Sequence, residues 1–266
     1  MRYDILDMSY TDFVAFVNQT NVPPGSYSTL TKWKTFSSIE ENSFVFEAAC
    51  TTGFSILNLA KETQCKGLGV DISLASVETA RKNALAMNLS DKVTFTHSDA
   101  TKVDFHGKIS HLIVGAALRF FPDPDAMLQK AFTLFGDNGY ILASPFYVND
   151  EVPESMLKKA QKVFGIIPTT EKYKDVMKLY RGLDVMYEDR NEIYKETEEE
   201  LHHYCESTLS RLKNTIELSD EEYNQAYKRL YDIKTMSNDL REFQEYSVLV
   251  LKYEKKNYPN RYTELF

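Results

Sequence analysis

Residues Phe44–Ser73 read FVFEAACTTGFSILNLAKETQCKGLGVDIS. The apolar run Phe44, Val45, Phe46 ends in an acid, Glu47, and a short tight stretch follows, Ala49-Cys50-Thr51-Thr52-Gly53. Phe54, Ile56, Leu57 and Ala60 then recur at the spacing of an amphipathic helix. A second apolar strand, Gly67-Leu68-Gly69-Val70, ends in another acid, Asp71. The order is strand, turn, helix, strand, with a carboxylate at the carboxyl end of each strand. Ligands of open α/β sheets bind outside those ends, and an acid closing the second strand is placed to accept ribose hydroxyls. The turn reads as built for a nucleoside.

The pattern extends in both directions. Upstream, Phe13, Val14, Phe16 and Val17 fall at helical spacing, Pro23-Pro24-Gly25 breaks them, and a second helix runs through Leu30, Trp33 and Phe36. Downstream, Ser73 caps a helix carrying Val77, Ala80, Ala84 and Met87 on one face. Strands are expected at about 92–97 and 110–116, a helix from the Asp123-Pro124 start, and a fifth strand from Gly139. Beyond Tyr147 helices near 153–164 and 170–181 precede a sixth strand at 183–187. Two capping boxes, Thr197-Glu198-Glu199-Glu200 and Ser219-Asp220-Glu221-Glu222, announce helices before a last strand at 246–251. Strands alternating with helices of this length make a parallel, doubly wound sheet.

The stretch from 44 to 73 resembles the cofactor-binding half of class I S-adenosylmethionine-dependent methyltransferases, whose usual pattern is a strand, an Asp or Glu, then Gly-x-Gly-x-Gly opening a helix. The likeness continues through Ala80-Arg81-Lys82-Asn83-Ala84, Lys92-Val93-Thr94-Phe95 and Ser98-Asp99-Ala100, covering roughly residues 23–150. It implies a doubly wound, seven-stranded, mostly parallel sheet with the last strand antiparallel, preceded by amino-terminal helices and carrying a helical lid insertion. The expected organisation is an amino-terminal helical segment covering the site (1–41), a Rossmann-like cofactor-binding core (42–150), helices and a sixth strand completing it (151–195), the helical lid (196–241), and a final strand and tail (242–266). The cofactor implied is S-adenosylmethionine, with S-adenosylhomocysteine as product.

Carried over by position, Asp71 takes the ribose with Ile72 beside it, and Asp99 with Ala100 takes the adenine. Glu47 lies near the methionine portion, organising the turn, and backbone at Thr51–Gly53 and around Ala116 lines the cofactor. The first two glycines of the pattern are replaced by Ala49 and Thr51, and Gly53 alone is kept. Threonine at positive φ is an outlier, so the expectation is a turn holding Ala49 and Thr51 in ordinary backbone regions. The alternative is an altered pocket that no longer binds the cofactor. Cys50 reads as a small residue filling a tight bend.

Methyl transfer from a sulfonium is an in-line displacement, so positioning of the acceptor matters most. A base helps when the acceptor must lose a proton, but none is assigned; His202 and His203 in the lid and Arg119 after strand four are the candidates. His106 and His111 are expected at the amino end of the sheet, and His97 against a packing neighbour. Tyr10, Tyr27 and Trp33 precede the sheet in segments placed to fold over the cofactor.

Composition narrows the partners. Net charge is −8, from 39 acids and 31 bases, and no cluster of Lys and Arg forms a stripe, so nucleic acid is not an expected partner. The longest apolar runs fall short of a membrane span. The start, MRYDILDMSY, lacks a basic stretch followed by an apolar one, so no secretory signal is expected. Three cysteines without metal-ligand spacing suit reduced thiols in a cytoplasm, and no metal is expected. The leading expectation is a cytoplasmic methyltransferase, monomer or homodimer, acting on a small organic molecule by O-, N- or C-methylation. A non-catalytic nucleoside-binding protein for regulation or assembly is the second reading, motivated by the replaced glycines. A nicotinamide oxidoreductase is the third, disfavoured because Ala-Cys-Thr-Thr-Gly does not match Gly-x-Gly-x-x-Gly.

Overall fold

The computed structural model describes residues 3–20 and 22–260. Its chain order begins with two helices, α1 (Tyr10–Phe16) and α2 (Ser26–Ser37), and then alternates: β1 (Phe44–Ala48), α3 (Phe54–Thr63), β2 (Lys66–Asp71), α4 (Leu74–Ala86), β3 (Val93–His97), β4 (Ile109–Gly115), α5 (Pro124–Leu134) and β5 (Phe135–Ala143). A short strand β6 (Phe146–Val148) leads to α6 (Glu154–Phe164) and the one-turn helix α7 (Tyr173–Val176). The strand β7 (Asp184–Glu192), the helix pair α8 (Glu198–Lys213) and α9 (Asp220–Leu240), and the strand β8 (Gln244–Glu254) complete the fold.

The first five strands are parallel in the order β3-β2-β1-β4-β5, and β8 joins β5 antiparallel. The sheet has eight strands where seven were expected. The extra one is β6, which pairs with β8 in the register that β5 already follows: Ala143 faces Leu249 and Phe146 faces Tyr246. Pro145 has no N–H to give a ladder, and the Ser144 N–H turns to the Gly115 carbonyl at 2.7 Å, so one lane of the sheet is interrupted for two residues. On the other edge of β8 lies β7, antiparallel to it. β7 runs five residues past the expected end, held by its ladder with β8 from Glu188 to Glu192, a polar, half-exposed stretch with no apolar period to announce it. In the stretch expected to be helical over 170–181, only α7 is α-helical, followed by a tighter turn at Met177–Tyr180.

Period-two alternation divides the core between the two faces. Phe46, Leu112, Val114 and Ile141 point to the side covered by α5. Val45, Ile113, Leu142 and Val250 meet α2, α3 and α4 through Trp33, Ile56 and Val77. Both long helices near the end of the chain start with the expected capping boxes, Thr197 with Glu200 and Ser219 with Glu222. They pack on α1 through Phe13, Leu209, Ala226 and Leu230. The Arg229 guanidinium binds the carbonyls of Ile5 and Met8, fastening the amino-terminal segment to α9. Among the described residues no helix is long and apolar enough to cross a membrane.

Close approach of α3 to the sheet depends on Gly67. A Cβ there would lie 2.5 Å from Ile56 Cδ1 and 2.6 Å from the Val45 carbonyl oxygen. Gly67→Ala is expected to destabilise the fold by about 1–3 kcal/mol through overpacking. Denaturant unfolding with an unchanged midpoint would refute the tight approach of α3 to β2 at Gly67.

Candidate functional site

The turn between β1 and α3 sits at the carboxyl edge of the sheet and has the backbone of a glycine turn without its glycines. Ala49 lies at φ 55° and Thr51 at φ 46°, with Gly53 at 78°. The expectation of ordinary backbone at Ala49 and Thr51 is therefore corrected. Left-handed backbone costs an L-residue about 1–2 kcal/mol, and the surroundings hold it there. The Thr51 N–H donates to Asp71 Oδ2 at 2.9 Å, the Cys50 N–H to the Val70 carbonyl at 3.1 Å, and the Gly53 N–H to the Cys50 carbonyl at 2.8 Å.

Asp71 closes β2 and is buried. Its Oδ1 accepts the Ser73 N–H at 2.8 Å, so each carboxylate oxygen is held by one backbone amide. Burial raises its pKa, opposed by the backbone amides of Ser73, Thr51 and Ile72 and by nearby His97. An ionised carboxylate has about four acceptor sites, so these amides leave acceptor capacity for a ligand. Ile72 follows as one of the most exposed apolar residues, at 75%. Ser73 caps α4 as expected and donates to Asp12 Oδ1 at 2.8 Å.

Glu47 ends inside the molecule, where its Oε2 accepts the Ile56 N–H at 3.2 Å. Ile56 belongs to the first turn of α3, whose cap residue Gly53 has no side chain to offer, so Glu47 supplies the acceptor the helix start needs. Burial pushes its carboxyl up to about 8, with Asp71 adding to the effect. The Cys50 thiol is pushed well up by burial and by the Glu47 and Asp71 charges, which makes it an inert filler of the bend.

Asp99 is a turn residue here. Its Oδ1 accepts from the Thr101 N–H (2.9 Å) and hydroxyl (2.7 Å), and Lys102 pairs with Oδ2 at 3.1 Å. These bonds lower its pKa, Thr101 first. The next residue, Ala100, is buried beside it. After β4, Gly115 takes φ 49° with only Pro23 within 4.0 Å of where a Cβ would lie, and Ala116 follows.

Sequence reasoning did not foresee how the amino-terminal strap meets the turn. Thr52 Oγ1 donates to the Gln19 carbonyl at 2.8 Å and Ser55 Oγ to the Val22 carbonyl at 3.2 Å. Asn83 on α4 donates to the Thr52 carbonyl at 2.9 Å and exchanges a reciprocal amide pair with Asn18. Arg81 donates two bonds to the Phe95 carbonyl. The Arg-Lys-Asn run carried the only available signal for this.

Past Ala116 a cavity of about 440 Å³ opens between the ends of β4 and β5 and the helices above them. Phe120, Phe146, Phe164, Ile166 and Leu240 make its wall largely apolar, with Tyr10, Arg119, Gln244, Arg241 and Tyr246 among its polar groups. Arg119 lines it, and its Nε is engaged by Glu171 at 2.8 Å. His202 and His203 do not line it. His202 stacks on Tyr227 and Tyr231 within the α8–α9 hairpin, and His203 faces solvent. His111 is buried at the amino end of β4 between Ser110 and the Ser37 carbonyl, and His106 is exposed near Asp104. Exposed His97 bonds the Ile72 carbonyl at 3.0 Å.

Comparison with known proteins agrees with this geometry. A methyltransferase-domain family model matches residues 39–200. The chain is 26% identical over 136 residues to a ubiquinone/menaquinone biosynthesis C-methyltransferase of Rickettsia felis, covering 48% of this chain and 54% of that protein. It thus spans about half the length of the curated relative. Among solved structures, the MccD protein superposes with TM-score 0.72 at 19% identity, over 88% of this chain and 100% of that one. A methyltransferase of Geobacter sulfurreducens bound to S-adenosylhomocysteine gives 0.65 at 16% identity, over 92% and 98%. The chain belongs to the methyltransferase-domain family, in the class I group whose methyl donor is S-adenosylmethionine.

Two outcomes test the site's physics. Thr51→Gly relieves left-handed strain of about 1–2 kcal/mol and adds an entropic cost of about 0.5–1 kcal/mol. It should stabilise by up to about 1.5 kcal/mol, and a loss on denaturant unfolding would show that the threonine side chain supports the turn. The folded value of Glu47 lies above its unfolded one, so its contribution to stability is full below the unfolded value and is lost as pH rises through about 8. Glu47→Gln should gain stability relative to the native protein as pH rises from about 5 to about 8, then level off. Parallel melting curves across that range would contradict a buried, neutral Glu47.

Proposed function

We propose that this chain is a methyltransferase that holds S-adenosylmethionine across the Thr51 turn and the ends of β1, β2 and β4, and passes its methyl group to a small organic molecule in the adjoining cavity. The observation carrying this reading is Asp71, a buried carboxylate that fixes the turn and keeps acceptor capacity at the carboxyl end of β2. The residues present suit the cofactor. Asp71 takes the ribose hydroxyls and exposed Ile72 offers an apolar face to the adenine. Asp99 and Ala100 lie at the adenine edge, where Asp99 retains its Oδ2 side beside Lys102.

Gly115 has free space where a side chain would stand, so Gly115 and Ala116 allow close approach of the ligand. Glu47, Ala49 and Gly53 shape the methionine end through the turn. When bound, the cofactor supplies an electrophilic methyl group on a sulfonium. The chain orients the acceptor against it and excludes water with the aromatic wall. Helices α8 and α9 serve as a lid, with the end of α9 forming one side of the cavity, and the 1–41 segment straps the turn. We read the protein as cytoplasmic, a monomer or homodimer, with no nucleic acid, membrane or metal in its work. The motive for a non-catalytic reading is weakened, because Ala49 and Thr51 keep the left-handed backbone that glycines would give.

Calorimetric titration with S-adenosylmethionine and S-adenosylhomocysteine tests the proposal, and micromolar binding of both is expected. No binding of either by the folded protein would overturn it. Asp71→Ala should weaken binding by about 1–3 kcal/mol, the cost of unpaired hydroxyls. Unchanged affinity in a variant that melts normally would remove Asp71 from the site.

A further inference from the structure

We propose that the acceptor is an organic oxyanion, a carboxylate or an acidic phenolate on an apolar body, held by Arg241 and needing no base from the protein. This rests on reading the cavity beside Ala116 as the acceptor site. Among the described residues that line it, none is Asp, Glu, His, Lys or Cys. An alcohol or ammonium acceptor must lose a proton, and a base within hydrogen-bond reach or one water away is the usual means. The cavity's titratable hydroxyls do not serve. Burial pushes Tyr10 up to about 12, with Tyr204 adding, so it stays protonated and can donate. Burial raises Tyr246 as well, near Lys32 and Asp189.

The charges on the wall are positive. Arg119 is matched one for one by Glu171. Arg241 is not: Glu196 lies 3.0 Å from its Nη2 and 2.9 Å from Lys234 Nζ, one carboxylate against two cations. Glu200 also acts on Arg241, but it is exposed, screened by solvent, and engaged in the Thr197 capping box. A Tyr194 carbonyl takes Nη1 at 2.9 Å, leaving other guanidinium donors of Arg241 for a ligand. An apolar cavity with an under-compensated guanidinium selects an anion with an apolar body. The acceptor oxygen's lone pair forms the new carbon–oxygen bond while the methyl carbon–sulfur bond breaks, its pair remaining on sulfur. The products are a thioether and a methyl ester or ether, and no proton is released.

The test is calorimetry with the full chain saturated with S-adenosylhomocysteine, using 2-naphthoate, 4-nitrophenolate, 2-naphthamide and 2-naphthylmethylamine at mildly alkaline pH. At least one anion should bind about tenfold more tightly than the amide and the amine; which anion wins separates carboxylate from phenolate. Arg241→Gln should erase that preference while S-adenosylhomocysteine binds as before, and Arg241→Lys should restore part of it. A merely structural arginine would lower all four affinities together. Amide or amine binding as tight as the anions overturns the inference, as does a preference that survives Arg241→Gln, or no probe binding while S-adenosylhomocysteine does. Failure of S-adenosylhomocysteine to bind the native protein would overturn the underlying functional reading instead.

Discussion

The carboxylate of Asp71 is the group from which the rest of the site is hung. One oxygen receives the Thr51 N–H and the other the Ser73 N–H. The first bond holds the left-handed turn that delivers the chain into α3. The second sets Ser73 at the start of α4, from where its hydroxyl reaches Asp12 in α1. A single buried acid thus joins two strands' ends, two helix starts and the amino-terminal strap. Burying a carboxylate is costly unless its lone pairs are met, and the two amides meet part of that need. The same bonds offset strain at Ala49 and Thr51, which explains how a turn can dispense with two glycines and keep their backbone.

Glu47 and Asp71 lie at adjacent strand ends and are treated differently by the fold. Both are raised by burial, yet Asp71 is met by the backbone amides of Ser73, Thr51 and Ile72, whereas Glu47 is sunk beneath the turn and pushed to about 8. Glu47 therefore stays largely protonated near neutrality, and its role in the free protein is to satisfy the uncapped start of α3. Had both been ionised a short distance apart, their repulsion would have loosened the turn. The protonated Glu47 is what lets Asp71 carry the local negative charge alone.

The alternation of Val45 and Phe46, the Ser73 and Asp123 caps, and both capping boxes made the order of elements legible in the sequence, because each is a local signal. The acids at the ends of β1 and β2 marked the turn they hold at the carboxyl edge of the sheet for the same reason. The backbone at Ala49 and Thr51 was not legible: propensity argues against positive φ for both, and the bonds that override it come from residues about twenty positions away. The break at Ser144-Pro145 was hidden because the strand on either side keeps one register with β8. The histidines of α8 were misplaced as cavity candidates because a helix pattern does not say which face meets Tyr227 and Tyr231. Arg241 carried no signal at all; it reaches the cavity only because α9 folds back to deliver the chain into β8.

That return of α9 divides the labour within the site. The sheet ends and the strap, built from Asp71, Thr51, Asn83 and Asn18, form one rigid hydrogen-bonded unit about the turn. Tyr10, Pro24 and Gly25 of the strap complete the cavity wall, but much of it comes from other parts of the chain: the segment after β4, the end of α6 and the end of α9, joined to the core through contacts such as Met236 and Leu240 against Val148 and Ala160. Those segments share no hydrogen bonds with the turn among the contacts described above. Residues more than about 7–10 Å apart with no shared partner contribute independently. Changes at Phe120 or Arg241 can therefore reshape the cavity without disturbing the turn, whereas Phe164 packs on Tyr10 of α1 and couples the wall to the strap.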